Sequence, residues 1–158
     1  MAPAYSKLVQ ENAAMLQSHF SWLTTPFTMA QSRARLQYLQ QQWQASQAFH
    51  FGIVNAGGRL TGEIAIDALH AQQPSGNISY WVSKQAQGRG MATRALLLLA
   101  CWAKNNLPLQ YLDIKMTVDN IASRCVAQKA GALFSHLIPA HPLATGLQAN
   151  VYLFRLYL

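Results

Sequence analysis

Acidic residues are scarce in this chain. Of its 158 residues only Glu11, Glu63, Asp67, Asp113 and Asp119 are acidic, against twelve Lys and Arg. The net charge of +7 therefore reflects missing acids more than massed bases. No two Lys or Arg residues are adjacent, so the charge forms no block of the kind that marks a nucleic-acid surface. No direct nucleic-acid partner is expected, although a positive field would still draw small polyanions. No His, Cys and Asp cluster has metal-ligand spacing, and no metal is expected. Cysteine is limited to Cys101 and Cys125, both in predicted helices, which reads as two reduced core thiols in a cytoplasmic protein. Long hydrophobic runs are missing too. The longest, residues 95–103, falls short of the roughly 20 residues a membrane helix needs; it predicts a buried helix and no membrane partner. The first residues lack a charged segment followed by an apolar one, so no secretory signal is expected.

What is present is apolar. Hydrophobic residues make up 51% and charged residues 11%, a globular balance rather than a disordered one. The length predicts one domain over residues 1–158 with a core that needs no staples. A mean hydropathy of +0.05 also predicts an apolar surface patch suited to a homodimer interface.

Hydrophobic periodicity orders the elements. Residues 5–20 read as a helix with Leu8, Val9, Met15 and Leu16 inward, and residues 22–27, with Pro26, as a break. Residues 28–48 read as a second helix with Ala34, Leu36, Leu39 and Trp43 inward. Two strands, 49–55 and 60–69, flank Ala56-Gly57-Gly58-Arg59, a hairpin signal. A loop over 70–76 leads to a strand at 77–82, and a helix over 92–106 ends at Leu107-Pro108. A strand at 110–118, a helix at 121–130, and strands at 134–138 and 151–157 follow, the last two joined by a flexible loop over 139–150. The order ααβββαβαββ is that of an α/β protein in three layers with a mixed central sheet.

The most informative stretch is Gln87-Gly88-Arg89-Gly90-Met91-Ala92, between a predicted strand and a predicted helix. Glycines two apart let the backbone turn tightly and bring several N–H groups to one point. The helix adds its unpaired N–H groups and the positive end of its dipole. Strand, glycine loop and helix N-terminus make an anion site, most often for phosphate. The P-loop pattern fails, because no Lys-Ser or Lys-Thr pair follows. The dinucleotide fingerprint fails as well, because Thr93 stands where the third glycine belongs.

A second segment adds to this. Leu112, Ile114, Met116 and Val118 alternate with Asp113, Lys115 and Thr117. Asp119-Asn120 stops the strand, Asn120 is a good N-cap, and Gly131 is placed to end the helix that follows.

Read as Q/R-x-x-G-x-G/A through Gln87, Gly90 and Ala92, the loop resembles the acyl-CoA pyrophosphate loop of the GNAT N-acetyltransferases. Asn120-Ile121-Ala122-Ser123 with Val126-Ala127-Gln128-Lys129-Ala130-Gly131-Ala132 resembles the N-x-x-S…V-A-x-K-x-G-F segment of the branch that acetylates ribosomal-protein N-termini, the RimJ/RimL type. Ile78-Ser79-Tyr80-Trp81-Val82 resembles that branch's I-G-Y-W-[LV] strand. The resemblance runs from about residue 49 to the C-terminus and more loosely over the first helices. It implies a GNAT-like three-layer fold with a mixed central sheet. The family's first strand is missing from the sequence order here.

The resemblance also implies acetyl-CoA as co-substrate, bound with its pyrophosphate on the backbone of Gln87, Gly88, Arg89, Gly90, Met91, Ala92 and Thr93. Trp81 and Val82 would lie against its pantetheine arm. Ser123 would give a proton to the departing thiolate, and Asn120 would hydrogen-bond the arm. Capping alone would place Asn120 and Ser123 in the same way. The implied acceptor is a protein or peptide N-terminal amine. Residues 21–28 and 139–150 would flank it, with Trp22, Phe27, His141 and Leu143 as contact surfaces.

The base is left open. Relatives carry Glu where Asn77 stands and Gly where Ser79 stands, and Asn cannot take a proton. Glu63 and Asp67 share one strand face by alternation. His50, His70 and His136 are chemically able, and a chain of water molecules would also serve. No G-x-S-x-G motif suggests an acyl-serine, so direct attack is expected. Three other readings remain: a non-catalytic acyl-CoA-binding module, an acetyltransferase of small-molecule amines, and a basic RNA-associated protein. Thiol release from acetyl-CoA separates the first from an enzyme, the choice of acceptor separates the second, and steep salt dependence marks the third.

Overall fold

Period-two alternation builds one mixed sheet from β1 (Phe49–Val54), β2 (Leu60–Asp67), β3 (Ser75–Val82), β4 (Tyr111–Thr117), β5 (Leu133–Pro142) and β6 (Gln148–Tyr157). The computed structural model describes residues 1–23, 25–69, 73–143 and 146–158. His70, one of the candidate bases, lies outside the described residues. The strand order is β1-β2-β3-β4-β6-β5, and only β3 and β4 run parallel. A parallel pair needs a crossover, which α4 (Met91–Asn106) supplies. No strand precedes α1 (Ala2–Glu11) among the described residues.

Alternation also divides the helices into two layers. Ile64, Ile66 and Ile78 point to the face covered by α4 and α5 (Ile121–Lys129), where Leu96, Leu99 and Ala127 complete the main core. Ile66, Leu96 and Leu112 are fully buried there, each stabilising by about 1.5–3 kcal/mol relative to exposure. Glu63, Ala65 and Asp67 point to the opposite face, covered by α1 and α3 (Met29–Gln44). A smaller core of Tyr5, Leu8, Val9, Leu16, Phe27 and Trp81 fills that layer.

Several expectations need correction. The first helix is two, α1 and α2 (Ala13–Gln17), because Asn12 interrupts it. Asn12 Nδ2 donates to the Leu8 carbonyl at 2.8 Å, while its Oδ1 accepts from Lys84 N at 3.0 Å. That buried side chain ties the N-terminal helices to the turn after β3. The second helix stops at Gln44 rather than residue 48; its start is fixed by a capping box between Thr28 and Gln31. Ala34 is exposed. Trp43 lies at the surface but packs its ring against Phe49, Phe51 and Trp102 at 5.0–5.7 Å. The helix at 95–103 is buried on one side only: Leu97 and Leu98 are exposed. Cys101 and Cys125 are exposed free thiols, not core residues. Most of the loop expected over 139–150 is instead the paired ends of β5 and β6, with His141 opposite Ala149. β5 is an edge strand on which Leu133, Phe134 and Leu137 are exposed.

Candidate active site

The site begins where the sheet opens. β3 and β4 pair only from Ser75 with Tyr111 to Ile78 with Ile114, although β3 continues to Val82 and β4 to Thr117. Residues 79–82 therefore have no strand partner on the β4 side. On the other side they pair with β2, and Ser83 N bonds the Thr61 carbonyl at 2.7 Å. Antiparallel bonding alternates, so Trp81 and Ser79 turn their backbone groups to β2 while Tyr80 and Val82 turn theirs into the opening. The Val82 carbonyl is taken by Gln87 Nε2 at 3.1 Å. An extended ligand arm can thus add to the sheet edge at Tyr80 and Val82. The Trp81 indole lies on the α1 face instead, and its Nε1, though buried, has no hydrogen-bond partner among the described residues.

At the end of the opening lies the glycine loop. A 3₁₀ turn at Lys84–Ala86 leads to Gln87, whose side chain also reaches Met15 Sδ at 3.3 Å. Gly88 and Gly90 have φ of 72° and 74°, the left-handed region that favours glycine. Gly90 is the N-cap of α4, with no side-chain cap. Arg94 N makes the first α4 bond, to the Gly90 carbonyl at 3.0 Å. The N–H groups of Met91, Ala92 and Thr93 thus precede the first intrahelical donor and are offered outward with the helix dipole. A Cβ at Gly88 or Gly90 would meet nothing within 4 Å, so the space above the loop is open. Lys84, Arg89 and Arg94 are exposed nearby in sequence. These features fit a phosphate-bearing ligand.

Asn120 caps α5: its Oδ1 accepts from Ser123 N at 3.0 Å. That leaves its Nδ2 for another partner. Ser123 is half-buried in the first turn, and its Oγ lies 2.8 Å from the Tyr80 hydroxyl. Tyr80 OH is also 3.1 Å from the Ser123 carbonyl. The strand residue at the opening and the candidate proton donor are therefore in direct contact.

On the opposite face a cavity of about 270 Å³ runs from α3 to Tyr80. Trp22, Arg35, Tyr38, His50, Asp67 and Ser79 are among its walls. A more open hollow of about 340 Å³ shares Trp22, Arg35 and Tyr38. The Arg35 guanidinium carbon lies over the Trp22 ring, 3.6 Å from its centroid. His141 and Leu143 line neither space, and Phe27 borders only the second.

The two carboxylates on this face differ. Glu63 accepts from Tyr5 OH at 2.8 Å, Arg35 at 3.0 Å and His50 Nδ1 at 2.9 Å. Burial alone would raise its pKa, but the His50 hydrogen bond, the Arg35 charge and the remaining donors outweigh it and hold the carboxyl below its ordinary value. Burial and the Glu63 charge push the Tyr5 hydroxyl well above the usual tyrosine range. Asp67, by contrast, accepts among the described residues from neutral donors, Asn77 Nδ2 at 3.0 Å and Ser79 Oγ at 2.8 Å. No cationic nitrogen among the described residues lies within 4 Å of it. Asn77 and Ser79, the two departures from the family pattern, both hold Asp67. His50 is bound into the Glu63 network, and His136 sits on β5, separated from β3 by β4 and β6. Among the described residues no group of three or more His, Cys, Asp or Glu is placed to hold a metal.

The Glu63 network gives a stability prediction. A folded-state pKa below the ordinary 4.5 contributes stability that is complete above 4.5 and is lost as pH falls through the depressed value. Glu63→Gln should cost about 3 kcal/mol at pH 7, the scale for breaking a buried pair. The gap to wild type should narrow as pH falls below 4.5. Urea unfolding across this range checks it; equal stability at pH 7 would show that the network contributes nothing.

The chain is thus a three-layer α/β domain with a split parallel pair and a glycine loop at the mouth of the split. The chain belongs to the acetyltransferase (GNAT) domain family, whose sequence model matches residues 2–133. It is 27% identical over 107 residues to the Bacillus subtilis (strain 168) protein named "Probable N-acetyltransferase YjcK". The match covers 66% of this chain and 59% of that relative, so it spans little more than half of the relative's length. Among solved structures, the microcin C7 self-immunity acetyltransferase MccE, in complex with acetyl-CoA and AMP, matches with a TM-score of 0.89 and 18% identity over 99% of this chain and 87% of that one. RimL, a ribosomal L7/L12 alpha-N-protein acetyltransferase in complex with coenzyme A, matches with a TM-score of 0.88 and 23% identity over 99% and 88%. These two likenesses establish the GNAT fold.

Proposed function

We propose that this chain, working as one domain over residues 1–158, transfers the acetyl group of acetyl-CoA to a protein or peptide N-terminal amine by direct attack. The observation that carries the reading is the four-residue pairing of β3 with β4, which opens the sheet between the glycine loop and Ser123. In this reading the loop from Gln87 to Thr93 holds the pyrophosphate, and the backbone at Tyr80 and Val82 binds the arm. Asn120 Nδ2 steadies the arm, and Ser123 protonates the departing thiolate. Family membership and the ligands named for MccE and RimL support the choice of acetyl-CoA.

Asp67 takes the amine side. A carboxylate held by neutral donors at the cavity wall attracts the acceptor's ammonium and can take its proton. Glu63 cannot serve in the same way, because its oxygens are engaged by three donors and its proton affinity is lowered. The cavity is near the small end for ligand sites and walled by aromatic rings and Arg35. Such a wall suits one chain end. The reading places the protein in the cytoplasm, where exposed thiols stay reduced.

The test is thiol release from acetyl-CoA with three acceptor types: peptides with a free amino terminus, polyamines and aminoglycosides. Peptides should be the better substrates, and Asp67→Asn should remove most of their advantage. Polyamines favoured by more than about tenfold, or ~1.4 kcal/mol in transition-state binding, would overturn the N-terminal acceptor. No release with any acceptor would overturn the enzyme.

A further inference from the structure

We propose that Tyr80 is a positioning residue that feeds its proton to Ser123 as Ser123 protonates the departing CoA thiolate. The proposal rests on the acetyl-transfer reading and adds a residue to it. A serine hydroxyl is by itself a poor acid, since losing its proton to sulfur leaves an alkoxide. Here that oxygen lies 2.8 Å from a second hydroxyl, from a residue 43 positions away on another element. Tyr80 is also at the lip of the sheet opening, just beyond the last β3–β4 pair.

The two hydroxyls have two arrangements. In one, Ser123 Oγ–H donates to Tyr80, and Tyr80 donates to the Ser123 carbonyl at 3.1 Å. In the other, Tyr80 O–H donates to Ser123 Oγ, and the serine proton is free to point into the opening. A thiolate forming there selects the second arrangement, since it accepts the serine proton. As the carbon–sulfur bond breaks, S–H forms and Oγ–H breaks. Oγ–H is remade from Tyr80 O–H, and the phenolate recovers a proton from water after the thiol leaves. The overall balance is unchanged: the amine's proton reaches solvent and solvent returns one to Tyr80. Burial pushes the tyrosine up to about 12. It therefore stays protonated at neutral pH, ready to donate, and its phenolate remains a more accessible anion than a serine alkoxide.

Tyr80→Phe keeps the ring and removes the hydroxyl. It should lower kcat by about ten- to a hundred-fold, within the range of general acid effects, with KM for acetyl-CoA changed less than about threefold. The solvent deuterium isotope effect should distinguish a relay from packing. Wild type should give a curved proton inventory, two protons moving in one step, and Tyr80→Phe a linear one. Residues that act as a unit are not additive, so Tyr80→Phe in a Ser123→Ala background should cost less than about twofold more. Thermal melting and CoA binding of each variant identify any that misfold, and Tyr80→Trp, with a donor on a different frame, should not restore turnover. Unchanged kcat in Tyr80→Phe, or full additivity with Ser123→Ala, overturns the relay while leaving acetyl transfer intact. A wild-type protein that releases no thiol overturns the acetyl-transfer reading first.

Discussion

Ser123→Ala is expected to lower kcat roughly ten- to a thousand-fold, the scale of a lost general acid, with little change in CoA affinity. The side chain sits in the first turn of α5, half-buried, and contacts Tyr80 at the mouth of the sheet opening. Its backbone N–H, not its hydroxyl, serves the Asn120 cap. Alanine keeps that N–H, so the helix start should persist and the loss should appear in turnover alone. Stopped or steady-state thiol release, with calorimetric CoA binding, separates the two. Unchanged turnover would leave Ser123 with a structural part only.

Gly90→Val should remove CoA-dependent stabilisation. The residue has φ 74°, where a β-branched side chain is strained in any surroundings. The variant should therefore be less stable even without ligand, by about 1–2 kcal/mol. Its response to ligand is a separate quantity. A ligand at a hundred times its Kd stabilises by about 2.7 kcal/mol, and wild type should show a shift of that order. The valine branches occupy the open space above the loop and turn Gly90 away from the geometry that presents the α4 N–H groups. Thermal-shift titration with CoA measures both effects. Equal CoA-dependent shifts in the two proteins would remove the loop from the binding site.

Features written in contiguous residues were legible in the sequence. The two glycines, the Asn120 cap, the hairpin at 56–59 and the alternation of β4 each depend on neighbours a few residues apart. The element order followed, because periodicity is also local. Features made by distant pairs were not. Glu63 meets Tyr5, Arg35 and His50 across 58, 28 and 13 residues. No spacing rule singles out those partners, so Glu63 and Asp67 looked equivalent on their shared strand face. The Tyr80–Ser123 contact, 43 residues apart, is hidden for the same reason, although Tyr80 lies within the Ile78–Val82 strand motif. Asn12 was legible only in retrospect: an Asn between apolar helical positions marks a break when its side chain finds a partner, here Lys84 N in another layer. The extended ends of β5 and β6 are not legible in the sequence, because Pro139, Pro142 and Gly146 are turn-forming residues. On an edge strand proline costs little, since one row of backbone groups is unpaired anyway.

In the proposed function the opening between β3 and β4 is the cofactor channel, with the glycine loop at one end and Ser123 beside the reacting atoms. A crystal structure with bound CoA tests it most directly. Pyrophosphate oxygens are expected within hydrogen-bond distance of backbone N–H groups between Gly88 and Thr93. The arm should run along Tyr80 and Val82, with the sulfur beside Ser123 Oγ. CoA bound away from the opening, or with its sulfur far from both Ser123 and the Asp67 cavity, would contradict it.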